Sequence, residues 1–168
     1  MTKRFSRVFG LMLLLSVVFL PAQTGRERPA KAPDPRVGSL LDQGRLQYDV
    51  DEEGDFRVLN QLEEKRSQAV FINSRTNRLY DIEIREIWSA AWSSEKPPDG
   101  GVSGKLLMEN GRVKIGAWSL QRFGTKFVLV FGAQVPANAD LKTLLTVIQT
   151  VAVTADDKEK EFAVKDSF

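Results

Sequence analysis

Apolar and polar residues alternate along several stretches of this chain, and such alternation is typical of strands with one buried face. The first two stretches are 45–50 and 56–62, and an acidic turn at 51–55 separates them. A short turn rich in Asp, with a Gly, between two alternating stretches is typical of a hairpin, so we expect these two strands to pair. A third strand is predicted over 68–74, and the polar residues 75–77 are predicted to form the turn that closes it.

The longest alternating stretch predicts one long strand over 79–92. One parity of this stretch is apolar except for Glu86, and it consists of Tyr80, Ile82, Ile84, Trp88, Ala90 and Trp92. Two more strands are predicted over 113–122 and 126–134, joined by a tight link at 123–125. The second of these contains consecutive large apolar residues. That pattern indicates a central strand with both faces buried.

Two short segments carry helix signals. Residues 37–43 predict a short helix, since Ser39 is a suitable capping residue and Gly44 suits the left-handed position after the last turn. Residues 102–109 predict one or two helical turns that end at an Asn-Gly pair.

A long final helix is predicted, with Asn138 as its capping residue and Asp140 in its first turn. Apolar residues then recur with the spacing of one helix face, at Leu141, Leu144, Leu145, Ile148, Val151, Ala152 and Ala155. The β-branched residues within 146–155 favour a strand instead. The capping residue and the length of the pattern favour the helix.

The predicted strands mostly follow one another along the chain instead of alternating with helices. This order indicates an α+β fold with a mostly antiparallel sheet. A short N-terminal helix, a short middle helix and a long C-terminal helix are expected to flank that sheet.

The N-terminal residues have the features of a cleavable export signal. A basic start precedes an apolar run of 13 residues at 8–20, too short for a bilayer that needs about 20. We predict a signal peptide over 1–22, a flexible linker over 23–36 and a single domain over 37–168. The protein is therefore expected in the bacterial periplasm or secreted, with no stable membrane anchor after cleavage. An uncleaved amphipathic anchor is the alternative.

Removal of the signal changes the formal charge, which is +2 for the whole chain. Three basic residues leave with the signal, so the 24 basic residues fall to 21 against 22 acidic ones. From residue 37 onward, 17 basic residues stand against 20 acidic ones. A mildly acidic domain offers no electrostatic footprint for nucleic acid, so no nucleic-acid partner is expected.

The chain contains no His and no Cys. The commonest metal ligand and the commonest base near neutral pH are both missing, so we expect no metal, no cofactor and no enzymatic activity. The acidic turn from Asp49 begins like a calcium loop, but its twelfth position is Asn60 where such a loop needs Glu, so a solvated hairpin tip is predicted. The glycines at 100–104 lack the spacing of a phosphate-binding loop, and a plain loop is predicted there.

Several of these segments together resemble a known family. The acidic hairpin with its Gly, the strand segment 86–89 (Glu-Ile-Trp-Ser), the segment 106–110 (Leu-Leu-Met-Glu-Asn) and the terminal 155–157 (Ala-Asp-Asp) resemble the YbjN family of the type III secretion chaperone-like fold. The resemblance covers about 38–163. It implies a helix–sheet–helix sandwich that often dimerises and binds polypeptide. Secretion chaperones of this fold work in the cytoplasm, whereas this chain is expected to be exported.

The aromatic residues on the predicted strands lead to the functional prediction. Trp88, Trp92 and Trp118 are predicted either to be core or to form a partner-binding surface with Arg85 in its polar rim. We expect a non-enzymatic module that binds an unknown polypeptide, and a second copy of the chain, in a homodimer, is one candidate for that partner. The first alternative is a small-ligand or glycan binder that uses surface Trp residues. The second is a hydrolase in which Glu83 or Glu86 meets another carboxylate at about 5 to 9 Å.

Overall fold

The structure, a computed structural model, describes residues 32–162. The predicted signal peptide, 1–22, lies outside the described residues, as do linker residues 23–31 and the last residues, 163–168. The described chain forms the helices α1 (Pro35–Gln43), α2 (Gly100–Asn110) and α3 (Leu141–Phe162). Its strands are β1 (Tyr48–Val50), β2 (Phe56–Gln61), β3 (Ser67–Leu79), β4 (Ile82–Ser94), β5 (Ala117–Phe123) and β6 (Lys126–Pro136).

These strands form one sheet in the order β1-β2-β3-β4-β6-β5, and every neighbouring pair is antiparallel. Consecutive hairpins build the sheet, except that α2 and β5 come between β4 and β6. The predicted α+β fold, with short first and middle helices and a long last helix, is confirmed. The order leaves β1 and β5 as the two edge strands.

The helices pack against one face of the sheet, which we call the helix face. Buried residues of all three helices and one parity of the strands form a single apolar core. Its strand residues include Phe56, Val58, Val70, Ile72, Ile87, Leu129, Phe131 and Ala133. The opposite parity forms the open face, which includes Phe71, Trp88, Ala90, Val130 and Gly132. The buried apolar residues of the three helices within residues 32–162 all belong to the core on the helix face.

The last helix follows the predicted phase with small corrections. Ile148, Val151 and Ala152 are buried as predicted, whereas Leu141 and Leu145 are only half-buried. The capping residue is Asp140, not Asn138, because Oδ1 of Asp140 accepts the Thr143 N–H at 2.8 Å. The hydrogen bonds from Thr143 also lower the pKa of Asp140, as expected for a carboxylate at a helix N-terminus.

Two predicted loops are part of regular elements. The glycines at 100–104 belong to α2, because the side chain of Asp99 caps the helix by accepting the Val102 N–H at 2.9 Å. The predicted turn at 75–77 lies inside β3, and the turn itself is Tyr80-Asp81, between the paired residues 79 and 82. The polar sequence of 75–77 is typical of a turn, but Thr76 is polar for a different reason. It is buried against a polar cluster and not against the apolar core.

The acidic turn between β1 and β2 is a hairpin tip as predicted. Oδ1 of Asp51 accepts the N–H groups of Glu53 at 3.0 Å and Asp55 at 2.9 Å. Gly54 has a φ of 83°, which suits glycine. This carboxylate oxygen therefore stabilises the turn itself.

The first helix begins inside the predicted linker. Asp34 is the capping residue, with its Oδ1 accepting the Arg36 N–H at 2.9 Å, and Pro35 occupies the first turn. Val37 and Leu41 then bury one side of α1 against the core. The ordered domain thus starts before residue 37, which was its predicted first residue.

The predicted burial of β6 on both faces is confirmed for its middle residues. Leu129, Val130 and Phe131 are consecutive, so they alternate between the faces, and all three are buried.

No helix within residues 32–162 combines the length and apolar character needed to cross a membrane.

Candidate functional site

The three tryptophans predicted to form one surface lie on different faces. Trp88 is opposite Gly132 and belongs to the open face, whereas Trp92 is opposite Leu129 on the helix face. The two residues share sequence parity, but the strand register shifts between Ala90 and Trp92, and this bulge inverts the direction of the side chains. The tryptophans therefore do not form one docking surface.

Each tryptophan is held by its own neighbours. Trp118 is only 6% exposed and packs edge-on against Phe131, with ring centroids 5.0 Å apart. Trp92 is half-buried beside Phe162. Trp88 stacks on Phe71 from β3 at 4.5 Å and on Phe123 from β5 at 5.8 Å. Since β3 and β5 lie on opposite sides of β4, these two rings leave little of the Trp88 ring for a sugar.

Arg85 does not form an exposed rim, because it is 2% exposed. Strand alternation directs it to the helix face, where its Nη2 lies 2.5 Å from Oδ2 of Asp34. Its Nη1 donates to the main-chain carbonyls of Asn73 and Ser74. These carbonyls lie where the ladder between β3 and β4 is irregular, so the guanidinium replaces strand partners that the ladder cannot supply.

The surrounding ion pairs keep Asp34 charged. Burial by itself raises the pKa of Asp34, but hydrogen bonds from Arg36 and Arg85 outweigh it and hold the pKa well below its ordinary value. Arg36 also pairs with Glu83, with Nη1 and Oε2 2.9 Å apart. The cluster ties the start of α1 to strands β3 and β4.

The hydrolase alternative, in which Glu83 or Glu86 meets another carboxylate, stays a prediction, but these two glutamates do not meet each other. Glu83 faces the cluster on the helix face, where Thr76 Oγ1 donates to its carboxylate at 2.6 Å. Glu86 lies three residues later in the same strand and therefore projects from the open face. Glu83 and Glu86 cannot act together on one substrate bond.

The edge strand β5 carries a feature that the sequence did not reveal. The side chain of Asn110, at the end of α2, pairs with the backbone of Trp118. Its Oδ1 accepts the Trp118 N–H at 2.6 Å, and its Nδ2 donates to the Trp118 carbonyl at 3.1 Å. The amide of Asn110 thus supplies the hydrogen-bond partners that a neighbouring strand would give to the outward N–H and C=O groups of Trp118.

The same side of β5 remains open further along the strand. In an antiparallel ladder, alternate residues direct their N–H and C=O groups to opposite sides of the strand. The backbone N–H and C=O of Trp118 point away from β6. Because the β5–β6 register is continuous over Ala117–Phe123, the backbone N–H and C=O groups of Leu120 and Arg122 also point away from β6. Within residues 32–162, no strand pairs with this side of β5.

An apolar cavity of about 200 Å³ lies beside the open side of β5, between β5 and α2. We call it the edge groove, and its walls include Pro98, Leu106, Leu107, Trp118, Leu120 and Leu129. Leu107 is 72% exposed, and Met108 and Leu120 are exposed next to it. Unpaired backbone groups and exposed apolar side chains therefore occur at the same edge.

Polar contacts hold the outer wall of the edge groove. Leu106 is the only residue of α2 that is buried in the core. Nζ of Lys158 on α3 lies 2.8 Å from Oε1 of Glu109. Burial by itself lowers the pKa of Lys158, but hydrogen bonds to Glu109 and Glu161 outweigh it and raise the pKa. With Asn110, this ion pair sets the position of α2 relative to β5.

No protein-family model matches the chain, and no curated protein sequence matches it. The resemblance to the YbjN family stays a prediction. The interpretation of the edge groove therefore depends on its geometry.

Proposed function

We propose that this protein is an exported, non-enzymatic binding module that takes up an extended segment of another polypeptide as an additional strand beside β5. The open backbone positions at Leu120 and Arg122 carry the proposal. They offer two N–H donors and two C=O acceptors at the spacing that strand addition requires. Export to the periplasm or outside the cell is proposed from the signal-like residues 1–22.

The edge groove supports the choice of a polypeptide as the ligand. A strand that pairs with β5 places every second side chain on the helix side of the sheet, next to Leu107 and Leu120. The cavity of about 200 Å³ has room for one or two aliphatic side chains. Main-chain hydrogen bonds would then supply affinity, and the apolar groove would select the side chains.

Replacement of Arg122 by Pro should weaken peptide binding strongly and leave the fold intact. Proline removes the N–H that points away from β6, and an outward N–H on an edge strand is not needed for the sheet. The probe is a nine-residue peptide selected from a displayed random library on the wild-type protein. We expect Arg122→Pro to weaken its binding, measured by fluorescence anisotropy, by at least about tenfold, which corresponds to about 1.4 kcal/mol.

The matched control is Arg122→Thr, which removes the same side chain but keeps the N–H. It should bind the peptide as the wild type does. Equal binding to Arg122→Pro and Arg122→Thr, or a library without binders, would count against strand addition. Analytical sedimentation measures the oligomeric state of the free protein. If the wild type is a dimer and Arg122→Pro is a monomer, the natural ligand of β5 is a second copy of the chain.

A further inference from the structure

A row of residues across the open face changes abruptly from large to small. Phe71 lies opposite Trp88, Trp88 opposite Gly132, and Gly132 opposite Ala117. The backbone of Gly132 does not need glycine, since its φ lies outside the left-handed region. A glycine within a paired strand is unfavourable unless something approaches it closely. Because Gly132 has no side chain and that of Ala117 is small, a depression lies beside Trp88 on the open face.

Glu86 occupies part of this space. A Cβ atom on Gly132 would lie 3.3 Å from Oε1 of Glu86, so the carboxylate lies over the glycine. Asn73 Nδ2 approaches Oε2 of Glu86 at 3.4 Å, and Asn73 Oδ1 accepts the Trp88 indole N–H at 2.9 Å. This chain of contacts links the carboxylate to the indole N–H of Trp88.

Within the described residues, the carboxylate of Glu86 has no countercharge. It is half-buried, and within residues 32–162 no Lys or Arg side chain forms an ion pair with it. Burial raises the pKa of Glu86. A partly buried charge without a partner is unfavourable, and a cation that binds beside it would remove that cost.

The depression around Glu86 also presents neutral polar groups. It has a volume of about 420 Å³, and Glu86, Gly116, Ala117, Ser119, Gly132 and Gln134 line it. Gln134 lies directly opposite Glu86 on β6, so its side-chain amide lines the same depression as the carboxylate. The Ser119 hydroxyl supplies another acceptor.

We propose that this depression on the open face binds an organic cation, an alkylammonium or guanidinium group, with Glu86 as its counterion. The ammonium or guanidinium donors match the carboxylate of Glu86 and the oxygens of Gln134 and Ser119. The Trp88 indole N–H is linked to Glu86 through the side chain of Asn73, so it reports on a cation bound at this carboxylate. The site lies on the opposite face of the sheet from the edge groove, so it is independent of strand addition.

Titration of ¹⁵N-labelled protein tests the site, with the Trp88 indole N–H as reporter. The probes are n-butylammonium chloride, spermidine, an N-acetylated Lys-containing tripeptide amide, and neutral n-butanol. We expect the cations to shift the Trp88 indole signal and butanol of equal length to leave it unchanged. Tighter binding of the Lys peptide would indicate a protein side chain as the natural cation, and tighter binding of spermidine a free amine.

Glu86→Gln keeps the shape of the side chain and removes its charge, and should weaken cation binding by roughly tenfold or more. The exposed carboxylate Asp157 on α3 provides the control, and Asp157→Asn should bind as the wild type does. A ¹³C titration of the wild-type Glu86 carboxyl should show its pKa falling when butylammonium is bound. Equal binding by Glu86→Gln, or a Glu86 pKa that does not respond to saturating butylammonium, would overturn the proposal.

Discussion

The variant Arg85→Met is expected to lower the free energy of unfolding by about 3 to 5 kcal/mol, the range found when one partner of a buried ion pair is removed. Arg85 is 2% exposed and is the donor for Asp34 and for the carbonyls of Asn73 and Ser74. Met fills similar space but donates nothing, so these acceptors stay buried without Arg85. Urea unfolding followed by circular dichroism measures the change.

Arg57→Met is the matched control. Arg57 also lies on a strand and also pairs with an aspartate, Asp49, at 2.6 Å, but the side chains of both residues are more than half exposed. Solvent screens such a pair, so its loss should change the unfolding free energy by less than about 1 kcal/mol. Equal losses in the two variants would show that burial of Arg85 does not matter as we describe.

The same cluster gives the stability of the protein a dependence on acid. The pKa of Asp34 is held below its ordinary value, so the folded protein keeps this carboxylate ionised where the unfolded chain protonates it. Its contribution is therefore fully present above a pH of about 4 and is lost as the pH falls toward the folded pKa. The wild type should lose more stability than Arg85→Met on acidification, measured by urea unfolding at successive pH values.

The variant Val151→Asp is expected to prevent folding at 25 °C. Val151 is fully buried where α3 packs on the sheet, and no basic residue of α3 lies one turn away from it. A carboxylate there would be buried without a partner, and such changes are among the few that cost more than about 4 kcal/mol. That loss is close to the whole stability of a typical domain. Circular dichroism and the dispersion of NMR signals provide the measurement.

Val153→Asp makes the same change two residues further along the helix. Val153 is 40% exposed, so its carboxylate stays in water and the protein should remain folded. If both variants unfold, or if neither does, the orientation of α3 is different from the one described. The pair also separates helix from strand, because residues 151 and 153 would share one face of a strand.

Local patterns in the sequence predicted most of the elements of this fold. The stripe on α3 reflects burial of one face of the helix, which is visible in the local sequence. The alternation over 79–92 predicted a strand, although its apolar residues Tyr80, Ile82 and Trp88 lie in the turn or on the open face and not in the core. The polar residues of β3 misled because Thr76 is buried and donates to Glu83, which belongs to the same polar cluster as Arg85 and Asp34. That cluster joins residues that are distant in the sequence, so no local sequence pattern predicts it.

The candidate site was less predictable, and a bulge explains much of the difference. One inserted residue near Ala91 sends Trp92 to the face opposite Trp88, although the two share parity in the sequence. The pair of hydrogen bonds between Asn110 and Trp118 could not be predicted either, because an Asn-Gly pair after a helix indicates only where the helix ends. Which positions on β5 remain open follows from that contact and from the strand order.

Amide hydrogen exchange along β5 tests the central claim most directly. The N–H groups of Ser119 and Gln121 face β6, whereas those of Leu120 and Arg122 face outward. In the free protein we expect slow exchange at residues 119 and 121 and fast exchange at 120 and 122. Saturation with the library-selected peptide should slow exchange at 120 and 122 and leave 119 and 121 unchanged. A bound peptide that leaves Leu120 and Arg122 exchanging as fast as before would contradict the proposed addition of a strand to β5.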